Sequence, residues 1–197
     1  GEWEVGLLGQ FAQVNPRRET RADDVNVSFV PMSAVSEDGH LVSPQIREYG
    51  SVKKGFTAFR NKDVIVAKIT PCFENGKAAL VTGLMDGIGF GSTEFHVVRA
   101  SNACLPEFLF AQIYSDQFRR LGKSSMTGSG GQQRVPTAFV ENYLVSIPSL
   151  AEQQRIADCL TALNTLITTA NQELETLKTH KKGLMQQLFP STEAVAA

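Results

Sequence analysis

Two polar stretches carry side chains that could bind nucleic acid. The first lies around ITPCFENGK and the second is KSSMTGSGGQQR. Together they contribute Lys68, Thr70, Asn75, Lys77, Lys123, Ser124, Thr127, Ser129, Gln132, Gln133 and Arg134. Lysine and arginine neutralise phosphates, hydroxyls and turn amides position a duplex, and Asn, Gln and Arg pair with base edges in the major groove. These residues alone support a nucleic-acid surface and a pair of ordinary polar loops equally.

Positive charge is concentrated near these stretches, although the whole chain has a net charge of -1. Residues 47–77 hold seven lysines and arginines against three acids, and residues 119–134 hold four bases and no acid. Each segment alone is more typical of a solvated face than of a phosphate-binding patch. Lys53 and Lys54, in the first segment, are also candidate DNA contacts, because both segments carry polar side chains that could hydrogen-bond to bases.

Motifs for catalysis or cofactor binding do not occur in the sequence. The GKS triplet at 122–124 resembles a P-loop, but Gln117 stands where that motif requires glycine. Gly87, Gly89 and Gly91 alternate like a dinucleotide-binding fingerprint, yet no helix pattern follows, so turn glycines are predicted. The histidines lack metal-binding spacing, and no nucleophile elbow or acidic metal cluster is present. The sequence therefore predicts no metal site and no enzyme.

The elements that position the polar stretches are predicted to form a strand-rich α+β domain over residues 1–150. Runs rich in β-branched and aromatic residues and bounded by turn residues predict strands. These runs cover residues 27–32, 63–69, 78–84, 94–99 and 143–147. One helix is predicted from Pro106 to Gly122, because apolar residues recur there at helical spacing and a glycine ends the run.

The chain changes character after Pro148, since neither glycine nor proline follows until Gly183. Ten positions then recur at alternating intervals of four and three residues, and nine of them are apolar. This is the pattern of a coiled coil, in which a single polar residue fixes register and partner at some cost in stability. The ten positions, called the seam below, are Ile156, Leu160, Leu163, Ile167, Ala170, Leu174, Leu177, Lys181, Leu184 and Leu188.

The length of this helix favours a second helix over packing against its own domain. Residues 151–188 at ~1.5 Å each give a rod of ~57 Å, whereas a compact domain of ~150 residues has a diameter of roughly 38 Å. Burial of the apolar seam residues would contribute more than ~10 kcal/mol gross, so we do not expect these side chains to remain exposed to water. We expect a long pairing helix at 151–189, supplied by another chain or by sequence not present here, and a flexible tail at 190–197.

Composition limits the class of protein. With 42% apolar and 20% charged residues among 197, the chain can bury a sizeable core, and no apolar run is long enough to cross a bilayer. Three cysteines without a Cys-x-x-Cys spacing suit a reducing, cytoplasmic setting. The start, Gly1-Glu2-Trp3-Glu4, has neither an initiator methionine nor a secretory signal, so we expect a processed or excised piece of a soluble protein.

Six segments together resemble the specificity subunit of Type I restriction-modification systems. The most specific are IPSLAEQQRI (147–156) and KGLMQQLFP (182–190), at the two ends of the heptad helix. The others are WEVGLLGQF (3–11), DVIVAKITPCFENGK (63–77), GSTEFHVVR (91–99) and GSGGQQRVP (128–136). The resemblance covers nearly the whole chain.

This resemblance implies a target recognition domain followed by a conserved spacer helix, a pair that occurs twice in one family member. The two helices lie antiparallel, and each domain reads one half of a bipartite double-stranded DNA target. Members perform no chemistry. Modification (methyltransferase) subunits bring S-adenosylmethionine, and restriction subunits bring ATP-driven translocation and cleavage, so this chain needs no cofactor of its own.

The chain departs from that pattern by having one domain and one helix, which makes it half of a subunit. We expect a homodimer in isolation, with Ile156 near the partner's Leu184 and Leu174 near the middle, that reads an inverted repeat. Two other classes remain open. A coiled-coil adaptor with a protein-binding head would show no salt-dependent DNA affinity, and a self-sufficient methyltransferase or nuclease would need a motif that the sequence lacks.

Overall fold

The structure is a computed structural model and describes residues 3–129 and 131–189. The chain divides into two compact units, Gly1–Gln154 and Arg155–Ala197, and the division falls within the C-terminal helix. The predicted tail at 190–197 lies outside the described residues. The α+β class is confirmed, because strand-rich sheets precede a single long helix.

The strands and helices of the described residues follow in chain order. The strands are β1 (Glu4–Leu7), β2 (Ala12–Val14), β3 (Asn26–Val30), β4 (Gln45–Glu48), β5 (Thr57–Arg60), β6 (Asp63–Ala67), β7 (Ala78–Leu80), β8 (Ile88–Gly91), β9 (Phe95–Ala100) and β10 (Leu144–Ile147). The helices are α1 (Leu8–Phe11), α2 (Tyr49–Val52), α3 (Pro106–Tyr114), α4 (Asp116–Ser124), α5 (Thr137–Glu141) and α6 (Leu150–Leu188).

Two four-stranded sheets enclose the main core of the first unit. One has the order β2-β9-β6-β7 and is antiparallel, and the other has the order β4-β3-β8-β5 with β3 parallel to β8. Val30 and Phe59 from the second sheet pack with Ile65, Phe95 and Val97 from the first. Helix α2 covers the opposite face of the second sheet. A separate two-stranded sheet pairs β1 with β10.

All five residues of β6 are buried, which explains why residues 64–67 form a continuous apolar run rather than an alternating one. Its first residue, Asp63, is 1% exposed and is paired with Arg99 through bonds of 2.7 and 2.8 Å. The Asp63 carboxylate also accepts the backbone N–H of Arg60 at 2.8 Å. A buried carboxylate needs such partners, so this pair ties β5, β6 and β9 together.

Several sequence predictions for the first unit are wrong. The helix predicted over 106–122 is two helices, because Ser115 is extended and its hydroxyl caps α4 by accepting the N–H of Phe118 at 3.2 Å. Gly89 and Gly91 are not turn residues but lie in strand β8. A Cβ on Gly91 would lie 2.4 Å from the carbonyl oxygen of Val30, so glycine permits the close approach of two backbones.

The first unit also contains elements that the sequence did not predict. Strands β1, β2, β4, β5 and β8 lack a long β-branched run, and helices α1, α2 and α5 are only four or five residues long. The expectation of one helix before Pro148 is therefore wrong. The remaining predicted strands coincide with β3, β6, β7, β9 and β10, with ends that differ by a few residues.

The long helix, which begins in the first unit and continues into the second, is confirmed within one residue of its predicted start. Helix α6 spans 39 residues, or roughly 58 Å at ~1.5 Å per residue. The large apolar residues of the seam from Leu160 to Leu188 are 40–71% exposed in the single chain. Leu166 and Met185 flank the seam and are also exposed. Formation of a coiled coil stays a prediction.

Candidate nucleic-acid interface

The two polar stretches, about sixty residues apart in sequence, meet in the structure. Ile69 and Arg134 form a β-bridge, and so do Thr127 and Arg134. The N–H and hydroxyl of Thr70 both donate to the carbonyl oxygen of Gln133 at 3.0 Å. The N–H of Val135 donates to the carbonyl of Lys68 at 2.8 Å. The two stretches therefore lie side by side, and residues 68–77, 123–129 and 131–134 are together called the loop surface below.

The Arg134 guanidinium forms several of its hydrogen bonds with other residues of the same chain. Its Nε and Nη2 donate to the two carboxylate oxygens of Glu94 at 2.9 Å each, and Nη1 donates to the carbonyl of Gln132 at 3.0 Å. This bidentate hydrogen bonding lowers the pKa of the Glu94 carboxyl. A guanidinium has five N–H donors, so two remain for an external acceptor.

The other basic residues of the loop surface differ in how far they are committed. The Lys77 ammonium donates to the carbonyls of Met32 and Val35 at 3.3 and 3.0 Å, so it acts inside the fold. The Lys123 ammonium pairs with Glu74 at 2.8 Å. The ammonium of Lys68 makes no hydrogen bond with any described residue, and it lies close enough to Glu94 to help lower that pKa.

The neutral candidate side chains divide into those that hydrogen-bond within the chain and those that bond to no described residue. Asn75 donates to the Glu37 carboxylate at 2.9 Å, and the Ser124 hydroxyl donates to the carbonyl of Arg120 at 3.1 Å. Gln132 and Gln133 are exposed, and their side-chain amides bond to no described residue. Thr127 and Ser129 are likewise exposed on the loop surface. The glutamines are thus the best placed of these residues to meet base edges.

Lys53 and Lys54 do not join the loop surface but lie beside a second basic group. Lys53 pairs with Asp23 at 2.6 and 2.8 Å, and its carbonyl accepts a hydrogen bond from the Arg18 guanidinium. Lys54 and Arg17 are exposed, and neither side chain bonds to a described residue. Arg17 and Arg18 were missed by sequence reasoning, although their adjacency after Pro16 was a signal.

A groove of about 780 Å³ begins at this second basic group. Its polar lining includes Gln13, Asn15, Arg17, Arg99 and Asn142. A smaller hollow shares Arg17 and Arg99 with it and adds Arg18, Glu19 and Arg60. The Arg60 guanidinium is paired with Glu19 at 3.3 Å and that of Arg99 with Asp63, whereas Arg17 and Arg18 form no ion pair with a described residue.

A buried histidine links the groove to the loop surface. His96 is 3% exposed; its Nε2–H donates to the carbonyl of Val135 at 2.8 Å, and its Nδ1 accepts from the Asn15 amide at 3.2 Å. Asn15 also donates to the Thr137 hydroxyl at 3.4 Å. Burial lowers the pKa of the His96 imidazole, which favours the neutral ring that this bonding pattern requires.

A second buried polar residue, Gln153, lies in the motif IPSLAEQQRI and was also missed as a functional candidate. It is 0% exposed, and its amide donates to the carbonyls of Ala103 and Pro148 at 3.0 and 2.9 Å. Its side-chain oxygen accepts the N–H of Leu105 at 2.8 Å. Gln153 thus fixes the first turn of α6 to the loop before α3.

Residues 3–129 and 131–189 contain no group of three His, Cys, Asp or Glu residues arranged to hold a metal ion. Nor does any helix in that part of the chain combine the length and apolarity needed to cross a membrane.

Comparison with known proteins gives one family over most of the chain. Residues 1–179 match the family described as Type I restriction modification DNA specificity domain. The Type I restriction enzyme EcoAI specificity subunit of Escherichia coli is 42% identical over 184 residues, which cover 91% of this chain and 31% of the relative. The EcoEI specificity subunit of the same organism is 40% identical over 196 residues, 98% of this chain and 33% of the relative.

Solved structures give the same family. The HsdS subunit from Thermoanaerobacter tengcongensis superposes with a TM-score of 0.71 at 27% identity, over 94% of this chain and 48% of that chain. A chain from a study of complex assembly and conformational transition in the type I R-M system superposes with a TM-score of 0.73 at 26% identity, over 97% and 50%. This chain spans about a third of the curated relatives and half of the solved ones.

Proposed function

This chain belongs to the Type I restriction modification DNA specificity domain family, and from that membership we propose that it recognises double-stranded DNA sequence-specifically without performing catalysis. Residues 1–150 are the target recognition domain in this proposal, and residues 151–189 are a spacer helix. The chain reads one half of a bipartite target.

The observation that carries the proposal is the meeting of the two polar stretches in one loop surface. Hydrogen bonds from Thr70 to Gln133 and from Val135 to Lys68 hold the stretches together. The surface offers an uncommitted ammonium at Lys68 and exposed amides at Gln132 and Gln133. A positive charge that meets phosphate beside amides that can reach base edges is the combination that sequence-specific DNA binding uses.

The exposed seam of α6 supports a second part of the proposal, that a partner helix covers it. The family's solved members are about twice as long as this chain, so the partner helix belongs to a second recognition domain, either in the same polypeptide or in a second copy. In isolation the chain forms an antiparallel homodimer. Two recognition domains related by twofold symmetry read an inverted repeat.

The remaining partners follow from the family. Modification subunits dock on this protein and supply S-adenosylmethionine, and a restriction subunit joins through the complex and supplies ATP-driven cleavage. The protein itself holds neither cofactor and acts in the cytoplasm, where the DNA is.

Selection from a randomised duplex pool at ~0.15 M salt tests the proposal, because phosphate contacts alone bind any sequence and dominate at low salt. The chain is used with its modification subunit. Enrichment of a defined half-site is expected. A pool that stays random would contradict DNA recognition and would favour the coiled-coil adaptor with a protein-binding head.

A further inference from the structure

We infer that Arg17 and Lys54, which lie apart from the loop surface, form a second contact for the phosphates of duplex DNA. This inference rests on the proposed function, since it assumes that the first unit binds DNA. The two residues and the neighbouring Arg18 are called the arginine patch below.

Most basic side chains of the loop surface are already paired with oxygen atoms of the same chain. Lys77, Lys123 and Arg134 each bond to carbonyl or carboxylate oxygens of the same chain, at 2.8 to 3.3 Å. Within the described residues, Lys68 is the one lysine or arginine of the predicted loop set without such a partner. A surface with one uncommitted cation provides little of the phosphate neutralisation on which DNA affinity depends.

The arginine patch brings together basic residues that are distant in sequence. The Arg18 guanidinium donates to the carbonyl of Lys53, which places the turn after α2 beside the segment after β2. Arg17 and Lys54 are exposed, and their charged groups bond to no described residue. Two exposed cations without a partner among the described residues are suited to contacts with phosphates.

Arg17 lines the open groove described above. Its lining combines the exposed side chains of Gln13, Arg17 and Asn142 with Glu141 and with apolar residues such as Val14, and the groove is open to solvent rather than enclosed. An open groove beside the charge of Arg17 fits an extended polyanion better than an enclosed small ligand. Duplex DNA is therefore the occupant to which the charge and the shape point.

Strand β9 connects the loop surface to the groove that Arg17 lines. Glu94, which pairs with Arg134, immediately precedes β9, and Arg99, which lines the groove, lies near the end of that strand. Five residues of strand at ~3.3 Å each separate these points by roughly 17 Å. This is about half of one duplex turn of ~34 Å. One bound duplex is long enough to meet both surfaces.

The test compares the salt dependence of binding between the wild-type chain and Arg17→Ala/Lys54→Ala, each with its modification subunit, on the duplex that the wild-type chain enriches. Each lost phosphate contact lowers the slope of log K against log salt by ~0.9, so the double variant should lose ~1.8 in slope and roughly 30-fold in affinity at ~0.15 M salt. Lys182→Ala, at an exposed position of α6, should keep the wild-type slope.

Arg17→Lys/Lys54→Arg separates lost charge from lost structure, because it keeps both cations and should keep the slope. Thermal midpoints within ~2 °C of wild type confirm that the variants fold. An unchanged slope and affinity in the alanine variant would overturn the arginine patch while leaving the proposed function intact. A wild-type chain that enriches no duplex would overturn both.

Discussion

Replacement of Leu163 and Leu174 by aspartate should convert the proposed homodimer into a monomer. The two side chains lie on the seam and are 50% and 49% exposed in the single chain. Complete burial of a leucine is worth ~1.5 to 3 kcal/mol, so covering the exposed half gains about 0.7 to 1.5 kcal/mol for each. Four such side chains in a dimer contribute roughly 3 to 6 kcal/mol.

This loss corresponds to a dissociation constant raised by roughly 100-fold to 10⁴-fold, because ~1.4 kcal/mol is a factor of ten. Burial of the introduced carboxylates would weaken the dimer further. Sedimentation velocity at micromolar concentration measures the change directly. Far-ultraviolet circular dichroism should show whether the variant keeps its helix.

A matched control carries the same charges on the opposite face. Thr165→Asp/Gln172→Asp adds two carboxylates at exposed positions of the same helix that lie off the seam, and it should remain dimeric. A Leu163→Asp/Leu174→Asp chain that sediments as a dimer would refute the seam as the pairing surface. Equal disruption by both variants would attribute the effect to charge rather than to burial.

Three further changes test other parts of the structure. Lys68→Ala should lower the salt slope of DNA binding by ~0.9; weaker binding at an unchanged slope would instead indicate a base contact. Asp63→Ala leaves the largely buried Arg99 without its partner, which costs ~3 to 5 kcal/mol, and at ~2 to 4 °C per kcal/mol the melting temperature should fall by roughly 6 to 20 °C; a fall below ~2 °C contradicts the role of the pair. Because burial lowers the pKa of His96 in the folded state, the unfolded state binds more protons, and the free energy of unfolding should fall as pH drops below ~6.5; denaturant titrations of His96→Gln should show a smaller fall, and identical pH profiles would contradict this assignment.

The sequence predicted the elements whose signals are local and sustained. The seam repeats over more than thirty residues, and α6 therefore starts and ends within a residue of the prediction. The run at β6 is apolar because both faces of the strand are covered. Strands such as β4 and β5, each four residues long, carry no comparable pattern, because pairing with distant strands rather than local preference fixes them.

The candidate site was predictable in composition but not in geometry. The sequence identified the residue types of the loop surface, and the meeting of Thr70 with Gln133 depends on a tertiary contact that no local pattern encodes. The sequence also does not indicate which basic side chains form hydrogen bonds within the chain. Nothing near Lys77 in sequence indicates that its ammonium bonds to the carbonyls of Met32 and Val35, or that the Arg17 side chain bonds to no described residue.

Two α6 helices that pair as proposed would hold two DNA-reading domains at a fixed distance. The most direct test measures the affinity of the chain, with its modification subunit, for its selected duplex and for the same duplex with five base pairs inserted between the half-sites. Such an insertion rotates one half-site by about half a turn of ~10.5 base pairs. We predict a loss of at least about tenfold, or ~1.4 kcal/mol. Equal affinity for both duplexes would contradict the claim.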